Sequence, residues 1–244
     1  MSSTGPVEIL VTHLTRMSGG NICLAGIDRA NGRHVRPVLE AGKLDHSFLK
    51  RPSGHIMIGS VLRFAWMRPR PLVPEIEDHV LAPAESDVVG LASEDELWAA
   101  LQAAKRSTLA EIFGPEMHRV GRTAALERGT GRASLGVIDV SGFEGPWLES
   151  QWERPKIRAR FIGDDGAPLN VPVTDLRLFA PDCVQHNQAA LDEAKAKSSR
   201  STILLSIGVG LPGLEPPRHW LQINNIHMKG LDASDWASND DLPF

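Results

Sequence analysis

The sequence predicts a β-rich α+β fold: two small β-barrels, a helical insert between them, and a flexible acidic C-terminal tail. Three observations carry that reading. Short apolar runs broken by turn residues recur through both halves, as barrel strands require. One helix start with a capping box falls between them. Residues 232–244 hold four aspartates and no lysine or arginine.

Residues 7–12 read as a strand, followed by the turn Ser18-Gly19-Gly20 and the apolar run Ile22–Asp28. Asn31-Gly32 separates that run from residues 33–38. Both turn residues tolerate positive φ, so the pair is a hairpin. Alternation puts His34 and Arg36 on one face of it and Val35 on the other. Residues 60–67 form the next strand, with Leu62, Phe64 and Trp66 sharing a face. It ends at Pro69, Pro71 and Pro74, which no central strand accommodates. Ser93 and Glu96 make the capping box of a helix running to Ile112, with Leu97, Leu101, Ala104 and Ile112 near one face. Gly114-Pro115 ends it.

The second half returns to strands at 133–140 and 155–162, a turn at Asp164-Asp165-Gly166, and a strand at 169–173. An alanine-rich helix over 188–197 precedes two long strands at 201–209 and 218–227. The expected division is a first barrel over 5–90, a helical connector over 91–130, a second barrel over 131–228 and a tail over 229–244. Units of this size and make-up are consistent with five-stranded barrels of the oligonucleotide-binding (OB) type.

With 244 residues, 42% hydrophobic and 23% charged, the chain has the composition of a soluble globular protein with adequate cores. No apolar run reaches the roughly 18–20 residues that cross a membrane, and the first residues lack a secretory pattern. Cys23 and Cys183 lie in separate apolar runs and read as reduced core thiols. Together these predict a cytoplasmic protein of bacterial type.

The net charge of −4 speaks against nucleic acid only until it is mapped. Without the tail's four aspartates, the chain carries 26 acidic and 26 basic side chains. Its cations gather: Arg29, Arg33, His34 and Arg36; Arg63, Arg68 and Arg70; Arg154, Lys156, Arg158 and Arg160. OB barrels hold single strands by stacking bases on aromatic rings while cations follow the phosphates. The nucleic-acid candidates are therefore Arg33, His34, Arg36, Arg63, Trp66 and Arg68 in the first unit. In the second they are Trp152, Arg158 and Arg160. Against each stands a plain alternative, a solvated charged face or a core tryptophan. Trp220 and Phe161 read as core.

Enzymatic signatures are weak. The nine histidines show no i, i+4 pair with a glutamate base, and neither cysteine belongs to a CxxC. Gly208-Val209-Gly210 lacks the helix and lysine of a phosphate loop. No catalytic residue, metal site or cofactor is predicted. A metal-dependent nuclease built from distant carboxylates, or an RNA-directed enzyme, stays open as an alternative.

The chain ends Asp240-Asp241-Leu242-Pro243-Phe244. The acids suit a basic rim, Pro243 limits the conformations to be frozen, and Phe244 offers a ring and a free carboxylate. This ending resembles the acidic tip of bacterial single-stranded DNA-binding proteins, typically Asp-Asp-Ile-Pro-Phe. The resemblance implies that these five residues recruit a replication or repair enzyme. Residues 11–17 leading into 22–28, the run at 33–38, and the strands at 204–209 and 219–227 together resemble the prokaryotic dual OB-fold-containing domain family over about residues 7–228. That resemblance implies two OB-like barrels and supplies no catalytic residues. The combined expectation is a non-catalytic protein that binds single-stranded nucleic acid, DNA first, and recruits a partner through its tip. The alternative is a protein-interaction module of a bacterial conflict or phage-defence system that mimics that tip.

Overall fold

The computed structural model describes residues 6–81, 86–150, 155–180, 182, 184–212 and 217–230. The acidic tip, Trp152 and Cys183 lie outside them.

The first barrel is built from β1 (Val7–Arg16), β2 (Ile22–Asp28), β3 (His34–Val38), β4 (Lys50–Arg51), β5 (Gly54–His55), β6 (Ser60–Phe64), β7 (Met67–Pro69), β8 (Asp78–Leu81) and β9 (Ser86–Leu91). The Asn31-Gly32 turn joins β2 to β3 as the sequence predicts, and the meander β1-β2-β3 is antiparallel. β3 then pairs in parallel with β8, β8 antiparallel with β7, and β6 antiparallel with β1. β6 and β7 act as one fourth strand broken at Ala65-Trp66, so the pairing closes in the OB order 1-2-3-5-4-1. The break has a cause: one end of this strand must follow β1 and the other β8. It also removes Trp66 from the face of Leu62 and Phe64. Those two are sealed in the core, whereas Trp66 is 42% exposed. Gly26 lets β1 and β2 coil tightly, since a Cβ there would sit 2.3 Å from the Leu10 carbonyl oxygen.

The capping box forms as read. Ser93 accepts from the Glu96 amide and the Glu96 carboxylate accepts from Ser93 N at 2.8 Å, opening α1 (Glu94–Ala104). The single helix expected to reach Ile112 is interrupted. β10 (Lys105–Arg106) leaves the helix to pair in parallel with a strand of the second barrel. Thr108 then caps a separate α2 (Leu109–Phe113), and the Asp164 carboxylate accepts from Leu109 N and Ala110 N. The predicted Asp164-Asp165-Gly166 turn thus also caps a helix. β11 (His118–Val120) and β12 (Thr123–Glu127) fall within the stretch expected as a helical connector, and both join the second sheet.

The second barrel continues with β13 (Leu135–Asp139), β14 (Glu144–Glu149), β15 (Lys156–Ile162), β16 (Pro168–Pro172), α3 (Gln188–Ser198), β17 (Ile203–Val209) and β18 (Arg218–Met228). Here the first OB strand is the broken one. β13 pairs with β17 and β14 with β15, on either side of Gly142. β15 pairs with β16, a parallel bridge joins Val173 to Ile223, and β17 pairs with β18. α3 fills the link between third and fourth strands; residues 39–59, with the β4–β5 hairpin, fill it in the first barrel. Each barrel has its own core. Ile9, Leu24, Leu62 and Phe64 centre the first, with Leu97, Trp98 and Leu101 of α1 packed on it. Phe161, Val171, Leu205 and Ile223 centre the second, with Ile112, Phe113 and Leu191. Among the described residues no helix is long and apolar enough to cross a membrane.

The barrels are joined through β1. Its first residues pair with β6, but beyond Leu10 no strand among the described residues continues that edge, which meets only Gly59 N–H on Val11 O and a bridge from Thr15 to Asp175. Second-barrel groups take the place of the strand. The Asn225 side chain accepts from Leu14 N at 2.7 Å and donates to Leu14 O at 3.2 Å, as a neighbouring peptide would. Ser206 Oγ donates to Thr12 O at 2.8 Å, and Arg16 N donates to Thr174 O at 2.8 Å. Since the Ser206 hydroxyl has one proton, His227 Nε2, 2.9 Å away, must be the donor to it, which fixes a neutral Nε2–H imidazole. A second clip lies at Glu77, whose carboxylate accepts from Ser134 N at 2.9 Å and Ser134 Oγ at 2.8 Å. Burial pushes the Glu77 carboxyl up from its ordinary range, and the Ser134 bonds oppose that shift. Val137 and Leu204 of the second barrel complete the first barrel's core at this contact.

Asn225→Ala leaves Leu14 N and O buried without partners. The expected loss is on the order of 2–4 kcal/mol in urea unfolding, given about 1–3 kcal/mol per stranded group. A loss below about 0.5 kcal/mol, the scale of an ordinary surface substitution, would show that water replaces the amide.

Candidate nucleic-acid interface

In an OB barrel, ligands lie across the outer face of strands 2 and 3. The two barrels use that face differently. In the first, the outward residues of β1 and β2 are buried: His13 and Thr15 on β1, Ala25 on β2. His13 abuts the backbone of Gly136 and Ile207 of the second barrel. The first barrel therefore spends its ligand face on the contact. The second barrel contributes β17 and β18 to that contact, which leaves the outer face of β14-β15-β16 available.

That open face is a ladder of three cross-strand pairs. Glu144 stands opposite Arg160, Trp147 opposite Arg158, and Glu149 opposite Lys156. Alternation puts Ile157, Ala159 and Phe161 of β15 in the core and turns Lys156, Arg158 and Arg160 outward. Arg160 Nη1 donates to Glu144 Oε2 at 3.2 Å, with the two side chains 44% and 64% exposed. Arg158 Nε donates to Glu149 Oε2 at 3.2 Å in a drier setting, 18% and 16% exposed. The Arg160 guanidinium carbon lies 5.8 Å from the centre of the Trp147 ring, within cation–π range. The half-buried indole thus sits among three cations and two carboxylates. The exposed Arg160–Glu144 pair contributes about 0–1 kcal/mol, so Arg160 can turn to a phosphate at little cost, whereas the drier Arg158–Glu149 pair is held more firmly.

Residues 8–226 match the dual OB-containing domain. The chain belongs to that family. No curated protein matches the dual-OB chain. Among solved structures, a murine DNA-binding protein bound to double-stranded DNA is similar to it at 9% identity and a TM-score of 0.32, covering 92% of this chain and 97% of that one. A likeness that loose carries no functional argument.

The dual-OB structure separates the residues that the sequence grouped. Arg158 and Arg160 lie together on the open face. Their aromatic neighbour there is Trp147; Trp152 lies outside the described residues. His34 and Arg36 share a face as predicted, but it turns toward the contact between barrels. Arg36 is 13% exposed and bonded through Nε to Asp78 at 2.5 Å, and its backbone N–H donates to Glu77 O. The His34 ring meets His13 edge-on at 5.2 Å, and Nε2 of each is buried without a partner. Arg33 is exposed beyond the hairpin. Arg63 and Arg29 both pair with Glu8, at the rim of a groove of about 860 Å³ beside α1 that Arg106 also lines. Arg68 pairs with Glu40 on the β7 side, and Trp66 stands exposed at the strand break. Among the described residues no cluster of three or more metal-ligating side chains occurs.

Burial makes the three seam histidines hard to protonate. His13 is held well below the ordinary value of 6.5, His34 falls to about 4 and His227 to about 3. In the unfolded chain all three take up protons below about pH 6.5, where the folded chain does not. Stability is therefore unaffected above that pH, falls as the pH drops below it, and stops falling on account of His34 near pH 4. Melting temperature followed from pH 7 to pH 4 should drop less steeply for His34→Gln and His227→Gln than for the native chain. Parallel slopes would remove these imidazoles from the account.

Proposed function

We propose that the dual-OB chain is a non-catalytic protein that binds single-stranded nucleic acid, DNA first, across β14-β15-β16 of the second barrel. The carrying observation is Trp147, set between Arg158 and Arg160 on the one strand 1-2-3 face that the partner barrel leaves open. The indole supplies a surface on which a base stacks, and the arginines supply donors for the flanking phosphates. His34 and Arg36 serve the contact between barrels in this reading and do not touch the ligand. Arg33, Arg63, Trp66 and Arg68 lie on the first barrel, off this path. The tip residues Asp240, Asp241, Leu242, Pro243 and Phe244 act separately, docking a replication, repair or defence enzyme.

A second reading, the protein-interaction module, draws on a different observation. Leu72, Val73 and Ile76 are exposed on the loop between β7 and β8. The same loop is pinned to the second barrel by buried Glu77. A rigid apolar loop of that kind suits a protein surface better than a phosphate backbone.

Anisotropy of a labelled single-stranded oligonucleotide decides between them. Trp147→Ala should weaken binding by about 1–3 kcal/mol, the range for one stacked base. Binding should also fall with rising salt. No affinity for single strands, or affinity insensitive to salt, would favour the protein module. For the tip, deleting Phe244 should abolish partner capture and leave oligonucleotide affinity within about two-fold, because its ring is the apolar docking group. Equal capture by the deletion variant would refute that role.

A further inference from the structure

The open face is amphoteric, and this is what distinguishes it from a plain phosphate track. Arg160 and Lys156 stand opposite the carboxylates Glu144 and Glu149 in direct cross-strand register, and Arg158, opposite Trp147, donates to Glu149. A surface that only followed a phosphate chain would gain from losing both acids. We infer that Glu144 and Glu149 are specificity-determining residues that admit unpaired bases bearing amino groups and turn away duplexes. The inference rests on the single-strand reading above and deepens it.

The argument is one of donors and acceptors. An unpaired cytosine, adenine or guanine presents an exocyclic amino group with both hydrogens free; in a duplex each gives one hydrogen to its partner base and shows the other only in a groove, and thymine has no amino group. A carboxylate offers about four acceptor positions on two oxygens. The bond from Arg160 reaches Glu144 at Oε2, and the Glu144 side chain is 64% exposed, so acceptor capacity faces the space above the ladder. The arginine holds the carboxylate, and the carboxylate reads the base stacked beside it on Trp147. A duplex brings the opposite chemistry: about one negative charge per 1.7 Å of axis on the outside, its remaining amino hydrogens recessed in the grooves, and no base face free to stack on Trp147. Its phosphates meet the exposed Glu144 carboxylate with nothing to give it. A flexible single strand can instead turn phosphates toward Arg158 and Lys156 and a base edge toward Glu144.

The test compares oligo-dC, oligo-dT and a hairpin duplex of matched length on the full chain and on Glu144→Gln, Glu149→Gln and the double variant. Melting temperature and far-UV circular dichroism confirm that each variant is folded. The native chain should prefer oligo-dC to oligo-dT and to the duplex. In the variants the duplex should gain most, so that the preference for single strands shrinks about 10-fold, one good base contact's worth. The dC-over-dT preference should shrink with it. Unchanged preferences in variants that still bind would overturn the inference and leave the single-strand reading standing. Weaker binding to all three probes would also overturn it, since the glutamates would then only hold the arginines in place. No binding of any probe by the native chain would sink the underlying reading itself.

Discussion

The architecture depends on one unsatisfied edge. β1 is longer than the strand that closes its barrel, so from Thr12 onward the backbone groups on its β6 edge, opposite the edge that pairs with β2, would face solvent or lie buried without partners. A buried peptide group left unpaired is costly. The second barrel answers with side chains, Asn225 on Leu14 and Ser206 on Thr12, and with the Thr174 carbonyl on Arg16. An asparagine amide has the donor and acceptor of a peptide bond at the same spacing, so it completes a ladder where no strand fits. Once that edge is satisfied from outside, the first barrel cannot keep its strand 1-2-3 face open. The asymmetry between two barrels of one topology follows from this contact.

The contact also explains which parts of the site were legible in the sequence. Local signals held: the Asn31-Gly32 hairpin, the Ser93–Glu96 capping box and the alternation in β15 depend on neighbours in the chain, and all three appear as read. The two β-rich halves were also legible as a rhythm of strands, and the resemblance to the dual-OB family implied their topology. His34 and Arg36 show the limit. Their alternation was right, but alternation says which residues share a face and not whether another barrel covers it. Trp147 was missed because Gly145-Pro146 precedes it and reads as a loop, whereas a register shift between Glu144 and Trp147 carries the strand past that pair. The visible clue was polar: Asn224-Asn225 and His227 inside an otherwise apolar run are residues that a buried strand keeps only with partners.

The two kinds of contact at the seam do different jobs. Val137 and Leu204, packed into the first core, supply area removed from water, which is favourable but indifferent to small slips. The Asn225 pair and the Glu77–Ser134 bonds are satisfied in one register only. Each is buried, so a shift of one residue would leave several polar groups unpaired, at about 1–3 kcal/mol per group. Polar contacts that add little net stability therefore fix how the second barrel is turned. That orientation places β17 and β18 against the first barrel and β14-β15-β16 away from it. The ladder of Glu144, Trp147, Glu149, Lys156, Arg158 and Arg160 owes its access to solvent to hydrogen bonds made on the far side of the barrel that carries it.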